Sequence, residues 1–460
     1  MSLLRGVVSG TFMAANLGFK GAALTAGAIS NWINDARTKK DIRRIYKEAA
    51  DANYINRGVL AMPYVQCQQL LLTSTDANDN DIYVYETNSS NPGMDFIYGE
   101  TEEPENIIVS GGKSNERVRA LIPFIHKCQQ NKIPVIALHS SNQELENMLI
   151  NHSTALEIIS QRDFYYDGFR ALPVEDMAYL LFETMPEDTS PSAQSVLRAL
   201  LEIIIRKGHV DFQTLAAFPL IKLMDTLNTL KANCEITADE FDDISRDYMA
   251  GSSEVDTVRS FLSKLNRQAE SIFGRPRANT SNIKKMLNIK GVIAIDTGTS
   301  RNDAILSFIV NHLMHIQSNG KDFAIILDNI PISKHPLLCD LLQSRIYAVS
   351  NNDFISSLYG GEKDGEDLFN EITGDVPLTV LFNHRSGTSS QKWSEHLGKY
   401  HKIRIKLNIT QTKGFMTGAN AHGITVDETD EPRVRAETIS ILPDNMACIN
   451  NKNNTLFAEV

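Results

Sequence analysis

The residues whose types and spacing come nearest to a chemical motif are Gly111-Gly112-Lys113-Ser114, which follow the apolar run Ile107-Ile108-Val109. Glycines ahead of a lysine and a hydroxyl form the pattern that cradles phosphates. The glycines let backbone N–H groups approach, the ammonium neutralises the terminal phosphate, and the hydroxyl binds magnesium. A complete loop of this kind reads Gly-x-x-x-x-Gly-Lys-Ser/Thr. Here the position of the first glycine holds Ile107, inside the apolar run, which leaves the loop no room to wrap a phosphate.

Other reactive groupings are incomplete. His312-Leu-Met-His315 sets two imidazoles about one helical turn apart, but no glutamate completes a His-Glu-x-x-His zinc motif. Asp239, Glu240, Asp242 and Asp243 lack the glycine and spacing of a calcium loop and read as a solvated helix face. The five cysteines, Cys67, Cys128, Cys234, Cys339 and Cys448, are scattered and odd in number, with no Cys-x-x-Cys pair. They read as buried free thiols in a reducing compartment, not as a zinc or disulfide framework. No nucleophile, base and acid stand in a recognisable order.

Elements must position these residues, and their signals divide the chain. Residues 106–110 and 133–138, separated by a helical stretch through His126 and Cys128, read as strand, turn, helix and strand. That order predicts a βαβ unit and hence a parallel sheet with covered faces. Further Ile- and Val-rich strand candidates lie at 291–296, 323–328, 345–349, 378–382 and 402–406, with a helix over 302–318. Residues 81–86 form one more β-like run between the polar clusters 76–81 and 87–93. Between about Pro191 and Leu287 strand signals disappear, and Ser195–Lys207 and Val255–Phe273 carry apolar residues at helical spacing. The expected divisions are 1–58, 59–190, an all-helical insertion at 191–287, and 288–460. The polar stretch 450–454 reads as a turn.

The 460 residues suffice for one large domain or two moderate ones with real cores. A net charge of -11 repels phosphate backbones on average, so nucleic acid is not a favoured partner without a local basic patch. Near the start, Gly6, Gly10, Ala14, Gly18, Ala22 and Ala26 recur every fourth position, and Arg37, Lys39, Lys40, Arg43, Arg44 and Lys47 follow. Residues 6–47 therefore either meet a membrane, basic cluster on its cytoplasmic face, or pack a smooth helix on a partner. Asn16 and Lys20 interrupt the apolar stretch and argue against a simple span.

From about Glu105 to the end of the chain run, in order, the strings Arg119–Phe124, Tyr166–Pro173, Ile326-Leu-Asp-Asn-Ile-Pro331, Ala348–Gly360, Gly387–Gly398 and Pro432–Asp444. Together they resemble the TraG/TraD family of coupling ATPases, which serve conjugation and type IV secretion machines. The resemblance implies an α/β fold, a RecA-like P-loop NTPase-type parallel sheet core with an all-helical insertion that receives cargo. It also implies oligomeric rings, protein partners in a secretion or conjugation complex, and a place in the bacterial cytoplasm at the inner face of the membrane.

The motif letters depart from that family. Registered on Leu121-Ile-Pro123, the catalytic lysine position falls on Glu116, whose carboxylate would repel a triphosphate. Like charges about 4 Å apart cost on the order of 4 kcal/mol at an effective dielectric near 20. Asp328 matches the magnesium-orienting carboxylate, but Asn329 replaces the glutamate that activates water, and Ser350 stands at the polar sensor position. An amide cannot accept the attacking water's proton. Arg385 follows a strand where an arginine finger could sit, and reads as a solvated surface residue. The expectation is a catalytically degenerate scaffold with no cofactor. The alternative is an active ATP-dependent translocase that uses ATP and magnesium on an unorthodox Gly111–Ser114 loop.

Overall fold

Buried apolar runs of four or five residues, closed by polar turns, become strands in this chain, and the longer runs with helical spacing become helices. The computed structural model describes residues 39–61, 91–99, 101–298, 303–359, 364–374, 376–412, 419–451 and 454–460. The small-residue stripe at 6–26 and the β-like run at 81–86 lie outside them. Among the described residues no helix is long and apolar enough to cross a membrane.

Helix α1 (Lys39–Arg57) leads into β1 (Val59–Ala61), and β2 (Ile107–Ser110) into α2 (Ser114–Ala120) and α3 (Ile122–Gln130). Then come β3 (Val135–His139), α4 (Gln143–His152) and β4 (Leu156–Ile159). From Val174 to Asn288 the described elements are helical, including α5 (Ser192–Lys207), α6 (Ala238–Ala250) and α7 (Val255–Phe273). After them follow β5 (Val292–Asp296), α8 (Asp303–Ser318), β6 (Ala324–Asp328), β7 (Tyr347–Asn351), β8 (Leu378–Leu381) and α9 (Gly387–His396). The chain closes with β9 (Lys399–Thr412), β10 (Ala419–Pro432), β11 (Met446–Asn451) and β12 (Asn454–Glu459).

Two compact units divide these elements. One holds the described residues up to Pro123, Asn352–Ser356 and the described residues from Val376 to Val460. Its strands run in the order β1-β12-β11-β8-β2, with β2 parallel to β8 and β11 antiparallel to both its neighbours. The antiparallel β11–β12 pair falls where the sequence shows a polar turn at 450–454; the strands come from the apolar residues on either side, such as Ile449 and Leu456.

The 402–406 run does not join a parallel sheet as the sequence suggested. It belongs to β9, which pairs antiparallel with β10 in a separate two-stranded ribbon. The reason is visible in its letters: Lys402-Ile-Arg-Ile-Lys406 alternates charge and aliphatic, the period of a strand with one covered face. That cover is α1, whose Ile45, Ala49 and Ala52 pack on Ile403. Asn53 ties the two together, its amide donating to the Ile403 carbonyl (2.9 Å) and its carbonyl accepting from the Ile403 N–H (2.6 Å). Arg43, Arg44 and Lys47 remain exposed on α1.

The other unit, Phe124–Asn351 and Ser357–Asp375, carries an all-parallel run in the order β7-β6-β3-β5-β4. Every residue of β3, β6 and β7 is buried. Its pairings place Asp296, His139, Asp328 and Ser350 in one row across the carboxyl ends of four strands. An aromatic nucleus of Tyr166, Phe212, Phe273 and Phe308 joins the helical stretch to α8. In it the Tyr166 hydroxyl meets His312 Nδ1 at 2.7 Å.

Candidate functional site

The glycine loop belongs to the first unit, and its atoms are committed to the protein itself. After β2, Gly111 and Gly112 adopt φ of +85° and +63°, a region that L side chains enter only at a cost. A Cβ on Gly111 would stand 2.7 Å from the His384 ring, and one on Gly112 would stand 2.6 Å from both Phe382 Cβ and Glu116 Oε2. The glycines thus allow the loop to lie against the residues that follow β8. Gly112 N–H donates to the Asn383 carbonyl at 2.8 Å.

In a phosphate-binding loop the amides converge on the anion. Here the polarity is turned round. The carbonyls of Gly111 and Gly112 accept from the buried Arg117 guanidinium at 3.2 and 3.0 Å. The Lys113 N–H donates to Glu116 Oε2 at 2.6 Å, and Glu116 Oε1 accepts from Asn445 N–H, also at 2.6 Å. Glu116 is 2% exposed. Its carboxylate is therefore the anion that this loop holds, supplied from one turn along the chain. Lys113 points outward, its ammonium 2.5 Å from Asp444 Oδ2, and that hydrogen bond raises its pKa. Ser114 opens α2.

Behind the loop, buried Ser110 and His384 pair at 2.8 Å through Oγ and Nε2. His384 Nδ1–H donates to the Phe382 carbonyl, so Nε2 accepts the serine proton, while Phe354 N–H donates to the serine oxygen. Burial lowers the His384 pKa, against the Phe382 bond and Asp353. The neutral ring locks the loop to the residues after β8.

The polar row of the second unit is closed in the same sense. Asp328 is 0% exposed. Its Oδ1 accepts the Ser350 hydroxyl at 2.6 Å, and its Oδ2 accepts the side-chain amides of Asn142 at 2.7 Å and Asn329 at 3.3 Å. Asn329 itself sits at φ +54°, its N–H donating to the Ser350 carbonyl. A carboxylate already served by three donors and sealed from solvent is poorly placed to orient hydrated magnesium. Asn142 also caps α4, its side-chain oxygen accepting from Glu144 N–H and Leu145 N–H. His139 Nδ1 accepts from Asn142 N–H, leaving Nε2 buried without a hydrogen-bond partner, 3.6 Å from Glu146 Oε1. Burial pushes the His139 pKa down and, with Asp296 and Asp163 adding to it, the Glu146 pKa up. Glu146, Asp296, Arg162 and Ser141 line a cleft of about 520 Å³ beside this row.

The remaining sequence candidates separate. His312 is buried against Tyr166, its pKa lowered to about 4 by burial, while His315 faces Asp176 at 3.5 Å. Glu240 caps Thr237 and pairs with Arg206, with a pKa of about 2 set first by the Thr237 backbone bond. Arg385 is exposed. Asn142, Asn383 and Asn445 were not singled out by sequence, because their contacts with Asp328, with Ser440 and Leu442, and with Glu116 lie far apart in the chain; His139 was missed because it closes an otherwise apolar strand. Only the Asn142 cap, followed by Glu144, left a readable trace.

No family model and no curated protein matches this chain. Solved structures do. The bacterial conjugative coupling protein TrwBdeltaN70, in its unbound monoclinic form, aligns with a TM-score of 0.51 at 14% identity, over 78% of this chain and 85% of that one. The plasmid coupling protein TrwB in complex with the non-hydrolysable GTP analogue GDPNP aligns at 0.50 and 13% identity, over 86% of this chain and 92% of that one. The class that sheet and likeness define is the RecA-like, P-loop NTPase-type α/β fold. Within that class, the chain shares the fold of the conjugative coupling protein TrwB.

Proposed function

We propose that this chain is a degenerate coupling-protein relative, a scaffold that recruits or assembles components at a conjugation or type IV secretion machine without hydrolysing ATP. The observation that carries the second half of that reading is the Glu116 carboxylate seated on the Lys113 amide. The residues present do not fit a nucleotide. A phosphate at the loop would meet a buried carboxylate and two glycine carbonyls turned toward Arg117. Asp328 is saturated, and Asn329 offers no base to an attacking water. These departures fall in separate units and on separate roles, which favours loss of the reaction over a change of detail.

The likeness to TrwB supports the first half. On this reading the segments are 1–58, 59–190, 191–287 and 288–460, with 191–287 receiving protein cargo. The chain works as a homo- or hetero-oligomer in the bacterial cytoplasm, with residues 6–47 toward the membrane or a partner helix. An active translocase on the Gly111–Ser114 loop is the competing reading, favoured by the Gly-Lys-Ser letters and by the Asp328 carboxylate at the magnesium-orienting position.

Titration of the full chain with MgATP, followed by a fluorescent analogue and by phosphate release, separates the two. The expected result is no saturable binding up to about 1 mM, weaker than about -4 kcal/mol, and no turnover above background. Saturable binding or turnover that Lys113→Ala abolishes would overturn the scaffold reading.

A further inference from the structure

Outside the nucleotide-motif residues, the second unit brings two imidazoles together from different helices. His126 on α3 and His152 at the end of α4 place Nε2 and Nδ1 3.1 Å apart, with ring centroids 5.1 Å apart and planes inclined at 51°. The pair has no part in the polar row at the other end of β3, and its residues stand 26 apart in sequence, so no local motif announces it. Both side chains are half-buried: held by packing, yet open to an ion from solvent.

We propose that His126 and His152 form a two-imidazole site for a borderline divalent transition ion, of the Zn²⁺, Cu²⁺ or Ni²⁺ class. The separation is the first argument. Two ligands about 2.0–2.1 Å from one tetrahedral zinc lie about 3.3 Å apart, so a small turn of the rings converts the present contact into a chelate. The second is chemical class: imidazole nitrogen suits these ions, whereas magnesium and calcium take oxygen.

On binding, the hydrogen now shared between the rings moves to the far nitrogen of the ring that donates it. The two facing lone pairs then go to the metal. Among the described residues no group of three or more His, Cys, Asp or Glu could hold a metal. The two imidazoles therefore leave the ion coordination positions open to water or to a ligand brought by a partner. The bound ion would also join the middle of α3 to the end of α4.

The test is calorimetric titration of the chelator-treated full chain with zinc chloride, with nickel chloride in parallel and magnesium chloride as control. The expected result is one equivalent bound with a Kd below about 100 µM, and no heat with magnesium. His126→Gln and His152→Gln keep a polar side chain at each place. Each should weaken that equivalent at least about tenfold, the range in which ligand-shell changes act. Unchanged melting without metal shows that the variants are folded. X-ray absorption of the loaded protein should report imidazole nitrogen near 2.0 Å. Zinc binding that survives the double variant, or its absence from the wild-type chain at 1 mM, would sink the proposal.

Discussion

At the scale of single residues, the chemistry of this chain is decided by which atoms are already spoken for. Asp328 keeps the letter expected of a metal-orienting carboxylate but spends both its oxygens on neighbours, with Ser350 providing the shortest contact at 2.6 Å. Ser350→Ala would leave that buried charge one donor short. Such a loss costs about 1–3 kcal/mol, read as a lower urea midpoint at unchanged slope. A variant as stable as wild type would mean that Asp328 does not depend on its serine. The sequence revealed the positions Glu116, Asn329 and Ser350 but not what their side chains do. Glu116 could be seen to stand where a lysine belongs. That its carboxylate would reach Asn445, 329 residues away, follows from the fold alone.

At the scale of elements, legibility followed burial. Fully buried strands such as β3 and β6 announce themselves as unbroken aliphatic runs, and the sequence located them within a residue or two. β4 escaped because it is four residues long and contains Glu157, whose carboxylate accepts from Asn282 N–H. β9 was seen but assigned to the wrong sheet, since an aliphatic stripe says that one face is covered and not by what. Its cover, α1, docks through a small cluster, so the contact is open to direct test. Ile45→Ala should cost about 2 kcal/mol, the low end for a buried large-to-small change, because a small cluster can collapse around the gap. Asn53→Ala should speed amide hydrogen exchange at Ile403, which has its N–H on Asn53. Exchange at Ile403 unaffected by the Asn53 change would argue that α1 does not hold the ribbon.

At the scale of the molecule, stability should carry an acid signature. His312 is sealed in the aromatic nucleus with a pKa of about 4, below the ordinary 6.5 that it regains on unfolding. Between those values the unfolded chain binds the proton that the folded chain refuses, so acid favours unfolding there. The contribution is complete above pH 6.5 and is lost as pH falls through about 4, amounting to about 3 kcal/mol across the window. Urea titrations at pH 7.5, 6, 5 and 4.5 should show the decline, and His312→Gln should make it shallower, the buried His139 and His384 keeping their shares. A variant whose curve runs parallel to wild type would place the acid sensitivity elsewhere.

A tethered carboxylate in the glycine loop has a consequence for timing as well as for chemistry. A motor that waits for a diffusing triphosphate reports the energy charge of its cell, because its shape follows the adenylate pool. On the scaffold reading proposed above, a loop that carries its own counter-anion three residues along the backbone would keep one shape in feast and famine alike. An assembly built on such a subunit would then take its cues from the arrival of partners, leaving fuel consumption to other members.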